Sequence, residues 1–137
     1  ERLVERFGDR CSFTASGRKW PCPTKLYRWR DVPAFFRGLD LYVSTATIEG
    51  GPMPTLEALA SGIPVVIGAG VGIHDELPDL PGIHRYRAGD ADDVVRAVDE
   101  ALMGLHRVDR SELRRAIEPH SVTAWCESHQ RAFATAF

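Results

Sequence analysis

Residues 39–67 read LDLYVSTATIEGGPMPTLEALASGIPVVI, with an apolar, β-rich run at each end. The first run, 39–44, predicts a strand. The last, 63–67, is β-branched throughout its second half, as expected for a strand covered on both faces. Between them, two glycines and two prolines predict a loop. Residues 54–61 then predict a short helix with Leu56, Leu59 and Ala60 facing inward, and Gly62 is a natural stop. Strand, loop, helix and strand in that order predict a parallel sheet with helices on its faces. Ligands bind such sheets at the carboxyl ends of the strands. The loop after residue 44 is therefore where a ligand is expected.

The residues of that loop suit a sugar phosphate. Gly50 and Gly51 let a ligand approach the backbone. The helix start behind them offers free N–H groups and the positive end of a dipole. An ionised Glu49 at the loop mouth can only accept hydrogen bonds, so its natural partners are hydroxyls. Glu57, about one turn into the helix, could reach a ribose diol. The plain alternative is a turn built from Gly and Pro, with an acidic residue favoured near a helix start for its charge alone.

Outward from this unit the alternation continues. Residues 1–7 read as the end of an amphipathic helix, 11–14 and 24–29 as short strands, and 15–23 as a loop. Asp31 is placed to cap a helix over 32–38. Residues 68–82 form a glycine-rich loop with a turn of helix at 74–77, in which His74 could touch the ligand, though a loop histidine is more often merely exposed. Residues 83–86 are a last strand. Asp90 caps a helix over 91–105 whose Val94, Val95, Val98, Ala101, Leu102 and Leu105 make one stripe. Asp109 with Glu112 caps the next helix, to residue 117. Ser121 caps a terminal helix with Trp125, Cys126, His129 and Phe133 on one face, where the aromatics read as packing residues, either on this domain or on another one.

The 137 residues are one domain's worth of chain, 44% hydrophobic and 26% charged, with net charge −2. No apolar run approaches a membrane span. Cys11, Cys22 and Cys126 fit neither a disulfide framework nor a zinc pattern, so reduced thiols in the cytoplasm are expected. No His or Cys cluster has metal-ligand spacing, and no metal or other cofactor is expected. Residues 10–30 carry six basic residues and no acidic one. That stretch reads as a solvated loop rather than a nucleic-acid surface. Peripheral contact with anionic lipid through the same cations, at the inner face of a membrane, is the second placement they allow. Tyr27 to Asp31 is a further candidate, as the lining of a base pocket.

The run from Glu49 to Glu57 resembles the Glu–seven residues–Glu signature of retaining, group 1 glycosyltransferases. The setting is similar too: GLDLYVST before it, EALASGIPVV after it, then GIHDEL, and SVTAWCESHQRAF at the end. The similarity spans residues 31–137. It implies a Rossmann-like, three-layer α/β/α fold with a mostly parallel sheet, the C-terminal domain of a GT-B enzyme. It implies a nucleotide-sugar donor as substrate and hexosyl transfer with retention, in glycan, glycolipid or polysaccharide synthesis. Glu49 would then contact the transferred sugar as the candidate catalytic residue. Gly50, Gly51 and Met53 would offer backbone N–H groups, Thr55 would lie near the phosphate, and Glu57 would hold the ribose.

Departures from the pattern qualify this. Gly51-Pro52 stands where many relatives have an aromatic–glycine pair, and Pro52 and Pro54 each remove a donor. The Arg and Lys with which relatives grip the diphosphate have no counterpart here. Residues 1–137 therefore read as a single, truncated donor-binding domain, inactive alone, whose N-terminal acceptor domain lies elsewhere. Its sheet is expected either to close differently or to borrow a strand from another chain, in a homo-oligomer or by strand exchange. The competing reading is a non-catalytic Rossmann-like module that binds a nucleotide or a partner protein.

Overall fold

The computed structural model describes residues 1–16 and 19–136. The main elements follow in the order α1 (Arg2–Phe7), β1 (Ala15–Ser16), β2 (Thr24–Lys25), α2 (Val32–Arg37), β3 (Tyr42–Val43), α3 (Met53–Ala60), β4 (Val65–Ala69), β5 (Ile83–Arg87), α4 (Ala91–Gly104), α5 (Arg110–Ala116) and α6 (Val122–Ala136). Strands β3, β4 and β5 form a parallel sheet in that order. Tyr42 stands opposite Val65, and Val65 opposite Ile83. A separate parallel pair joins β1 to β2.

The two-residue period of the strands sorts the core into two layers. Val65 and Ile67 turn to one face, where they meet Phe36, Leu59, Ile63, Leu77, Ile83 and Leu113. Val66 turns to the other and meets Phe7, Tyr86, Val94, Ala97, Val98 and Ala101. On β3, Tyr42 joins the first cluster, and Leu41 and Val43 the second. Helices α2, α3 and α5 thus cover one face and α1 and α4 the other. This is the α/β/α, Rossmann-like arrangement expected. β4 lies in the middle strand position, and Val65, Val66 and Ile67 are completely buried.

The caps at 90, 109 and 121 form as expected. Asp90 accepts from the N–H groups of Asp92 and Asp93, each at 3.0 Å. Asp109 does the same for Ser111 and Glu112, and Ser121 for Ala124 at 3.1 Å. Asp31 differs. Its own backbone is already helical (φ −95°, ψ −11°), at the end of a 3-10 turn over Trp29–Asp31, and its side chain makes no cap bond. A residue inside a helical turn cannot present its side chain back to that helix's free N–H groups. The expected 24–29 strand pairs only at Thr24–Lys25, and Trp29 belongs to the 3-10 turn.

Other boundaries move as well. The N-terminal strand forms at Ala15–Ser16, not at 11–14, because its ladder begins where Ala15 N–H reaches Pro23 O at 3.0 Å. Gly17 and Arg18 of the expected 15–23 loop lie outside the described residues. The 39–44 strand is regular only at Tyr42–Val43, although Ser44 N–H continues to Val66 O at 2.9 Å. Among the described residues β3 is an edge, with β4 on one side. The terminal helix forms, but Trp125 and Phe133 are 60% and 65% exposed, so within the described residues they do not pack on this domain. Trp125 instead stacks on His129 along its own helix, with ring centroids 3.9 Å apart. Among the described residues no helix is long and apolar enough to cross a membrane.

Candidate functional site

All three strands of the main sheet point their carboxyl ends the same way, so the segments that follow them gather at one end. The 44–52 segment leaves β3, the 70–76 segment leaves β4, and Gly89 follows β5. A Cβ added at Gly72 would stand 2.8 Å from Glu49 O, 3.0 Å from Pro52 Cδ and 3.4 Å from Gly50 O. Gly72 also has φ +54°, in the left-handed region. Only glycine meets both demands. The loop after β4 is therefore seated directly against the backbone of the glutamate loop. A Cβ at Gly89 would reach Thr47 Cγ2 at 3.8 Å, which brings the third loop alongside.

Within the glutamate loop, Glu49, Gly50 and Gly51 are exposed. Neither glycine has an atom within 4 Å of where a Cβ would lie, so the backbone there is open. Pro52 beneath them is fully buried. Met53 N–H, expected to face a ligand, folds back onto Gly51 O at 2.7 Å. Thr55, expected near a phosphate, is fully buried, and its hydroxyl lies 3.0 Å from His74 Nε2. A side-chain contact from Thr55 to a ligand would require that bond to open.

The two glutamates converge electrostatically. Tyr42, half-buried on β3, has its pKa pushed up to about 12, first by burial and then by the negative charges of Glu49 and Glu57. Both negative charges disfavour ionisation of the same phenol. Burial also raises the Glu57 carboxyl above its ordinary value. Glu57 lines a groove of about 380 Å³ together with Trp29, Arg37, Ser61 and Arg114. Of the residues read as a base pocket, Tyr27, Arg28 and Asp31 line a different groove, of about 570 Å³, in which the Lys25 ammonium lies 5.1 Å from the Tyr27 ring.

His74 is the residue that sequence reasoning placed wrongly. It is completely buried, not exposed. Its Nδ1 is 2.9 Å from Gly68 O, and its Nε2 meets Thr55. Spacing gives no warning of this, since the partner sits 19 positions away on another element. Tyr86 is a second unpredicted tie, donating from its hydroxyl to Ser44 O at 2.9 Å and so joining β5 to the start of the glutamate loop. Among the described residues, no group of three or more His, Cys, Asp or Glu side chains is arranged to hold a metal.

The sheet is Rossmann-like, and the open glycine loop lies at the carboxyl ends of its strands, where such sheets bind their ligands. The description "Glycosyl transferases group 1" belongs to a family model that matches residues 24–117. The chain belongs to this family, and its fold is the α/β fold of GT-B enzymes. A search of curated proteins gives no match.

Proposed function

We propose that the unit from Glu49 to Glu57 is the donor end of a retaining glycosyltransferase site that binds a nucleotide sugar. The observation that carries this is the open backbone of Gly50 and Gly51 at the carboxyl end of the sheet, with Glu49 exposed beside it and the loop after β4 seated against it. Glu49, exposed at the tip, accepts hydrogen bonds from the hydroxyls of the transferred sugar. Glu57, in its groove, accepts from the ribose. Between them the N–H groups of Gly50 and Gly51, in the open part of the loop, face the diphosphate, and Met53 joins them once its short bond to Gly51 O is released. As the glycosidic bond to the diphosphate breaks, negative charge grows on the leaving oxygens, and such donors stabilise it.

The segments 44–53 and 68–76 contain no Lys or Arg. Cationic help for the diphosphate therefore comes from outside these two segments in this reading, and so does the acceptor site. In this reading donor capture belongs to the described residues, and transfer also needs those cations and that acceptor site. The competing reading, a nucleotide- or partner-binding module without transfer, draws support from Met53 N–H and Thr55 Oγ1 being already engaged.

Titration of the chain with a panel of nucleotide sugars, read by amide shifts, separates the two. We expect shifts at Gly50, Gly51 and Met53, and loss of binding of about tenfold or more in Glu49→Gln, since a charged hydrogen-bond acceptor is removed. Shifts confined to residues 10–30, or none, would favour the module.

A further inference from the structure

Behind the glutamate loop, Thr55 and His74 make a buried polar pair that the donor reading does not use. Both are fully buried, yet no buried polar side-chain atom lacks a partner among the described residues. A carbonyl oxygen can only accept, so the bond of 2.9 Å to Gly68 O places a proton on His74 Nδ1. In the neutral ring Nε2 is then an acceptor, and Thr55 Oγ1 donates to it across 3.0 Å. One strut therefore runs from the first turn of α3, through the imidazole, to β4. The backbone of the same histidine is held too, its carbonyl accepting from Arg85 at 3.3 Å. Two residues earlier in the chain, Gly72 rests against the carbonyls of Glu49 and Gly50.

We propose that Thr55 and His74 are a positioning pair that sets how the loop after β4 presses on the glutamate loop, and thereby governs recognition of the sugar rather than of the nucleoside. The consequence for ligands rests on the donor reading above, whereas the strut itself does not. The selectivity follows from which parts the strut supports. Glu49 and Gly50 are in the loop that Gly72 touches. Glu57 is on the body of α3, anchored independently by Ala58 and Leu59, both completely buried. Loosening the strut frees the first group and leaves the second in place.

The test compares wild type, Thr55→Val and Thr55→Ser in the 137-residue chain. Valine keeps the shape and removes the hydroxyl, and serine restores it. Long-range nitrogen–proton correlations of His74 should show the proton on Nδ1 in wild type and in Thr55→Ser. Thr55→Val should weaken binding of a nucleotide sugar about tenfold and of the matching nucleoside by less than about twofold, with recovery in Thr55→Ser. A proton on Nε2, equal losses for both ligands, or no recovery by serine would each overturn the pairing. If wild type binds no nucleotide sugar, it is the donor reading that fails. The strut is then judged by amide exchange at His74 and Leu77, whose N–H groups are hydrogen-bonded to Val71 O and His74 O. Exchange about tenfold faster in Thr55→Val supports it, and unchanged exchange overturns it.

Discussion

Helices α4 and α6 are nearly the same length, and both carry apolar residues at helical spacing, yet they end in opposite situations. α4 buries Val94, Ala97, Val98 and Ala101 against β4 and β5. α6 leaves Val122, Trp125 and Phe133 open to solvent. Both begin at a working cap. Capping and periodicity therefore explain why each segment is a helix, and neither decides what the helix packs on. For α4 that decision comes from the right-sized face of the sheet: small Ala97 and Ala101 let its axis approach, and Val94 and Val98 fill the gaps between β-branched strand residues. The apolar face of α6 has no such surface among the described residues.

Substitutions can break or sharpen this contrast. The largest effect is expected from a carboxylate placed in each helix. Val98→Asp should cost more than about 3 kcal/mol and unfold much of the population, because it buries a charge with no partner. Phe133→Asp should stay within about 0.5 kcal/mol. Urea midpoints measure both, and a comparable loss for Phe133→Asp would show that α6 is packed after all. The caps come next. Asp90→Ala should cost about 1 kcal/mol of global stability. Ser121→Ala should leave the global midpoint unchanged and only lower the helical signal, since α6 can fray without opening the core.

The smallest effect concerns Glu57, which is intermediate between the two situations, half-covered on α3. Burial raises its carboxyl pKa, so the folded chain holds that proton to higher pH than the unfolded chain does. Stability from this group is thus lost as pH rises through the window above the ordinary glutamate value, and is indifferent below it. Glu57→Gln should accordingly raise the urea midpoint at neutral pH and leave it unchanged near about pH 3. A gain that persists at acid pH would point to packing rather than charge.

Much of the fold was legible because its signals are local. The Val-Val-Ile run announced a strand covered on both faces, Gly62 (φ +75°) ended the preceding helix, and Asp90, Asp109 and Ser121 each sat one residue before a helix. The Gly50-Gly51 pair marked an open loop for the same reason. What escaped depends on distant partners. Strands of two residues, such as β1 and β2, are too short to show any period, so their position is set by the pairing itself. The burial of His74 is decided by Thr55 and Gly68, and the Met53 N–H is turned inward by a bond two residues back. The exposure of Trp125 follows from what surrounds α6, which its own residues do not encode.

Pro52 and Pro54 stand on either side of Met53, at the base of the loop whose tip is Gly50 and Gly51. The prolines hold their φ angles near one value in every state of the chain, while the glycines at the tip are the least restrained residues available. An arriving molecule that orders this loop consequently stills about two peptide units, at roughly 1–2 kcal/mol each. The stiffness of the base and the looseness of the tip can then vary independently. Replacing a tip glycine would alter how long a bound molecule stays, while the sheet below would register nothing.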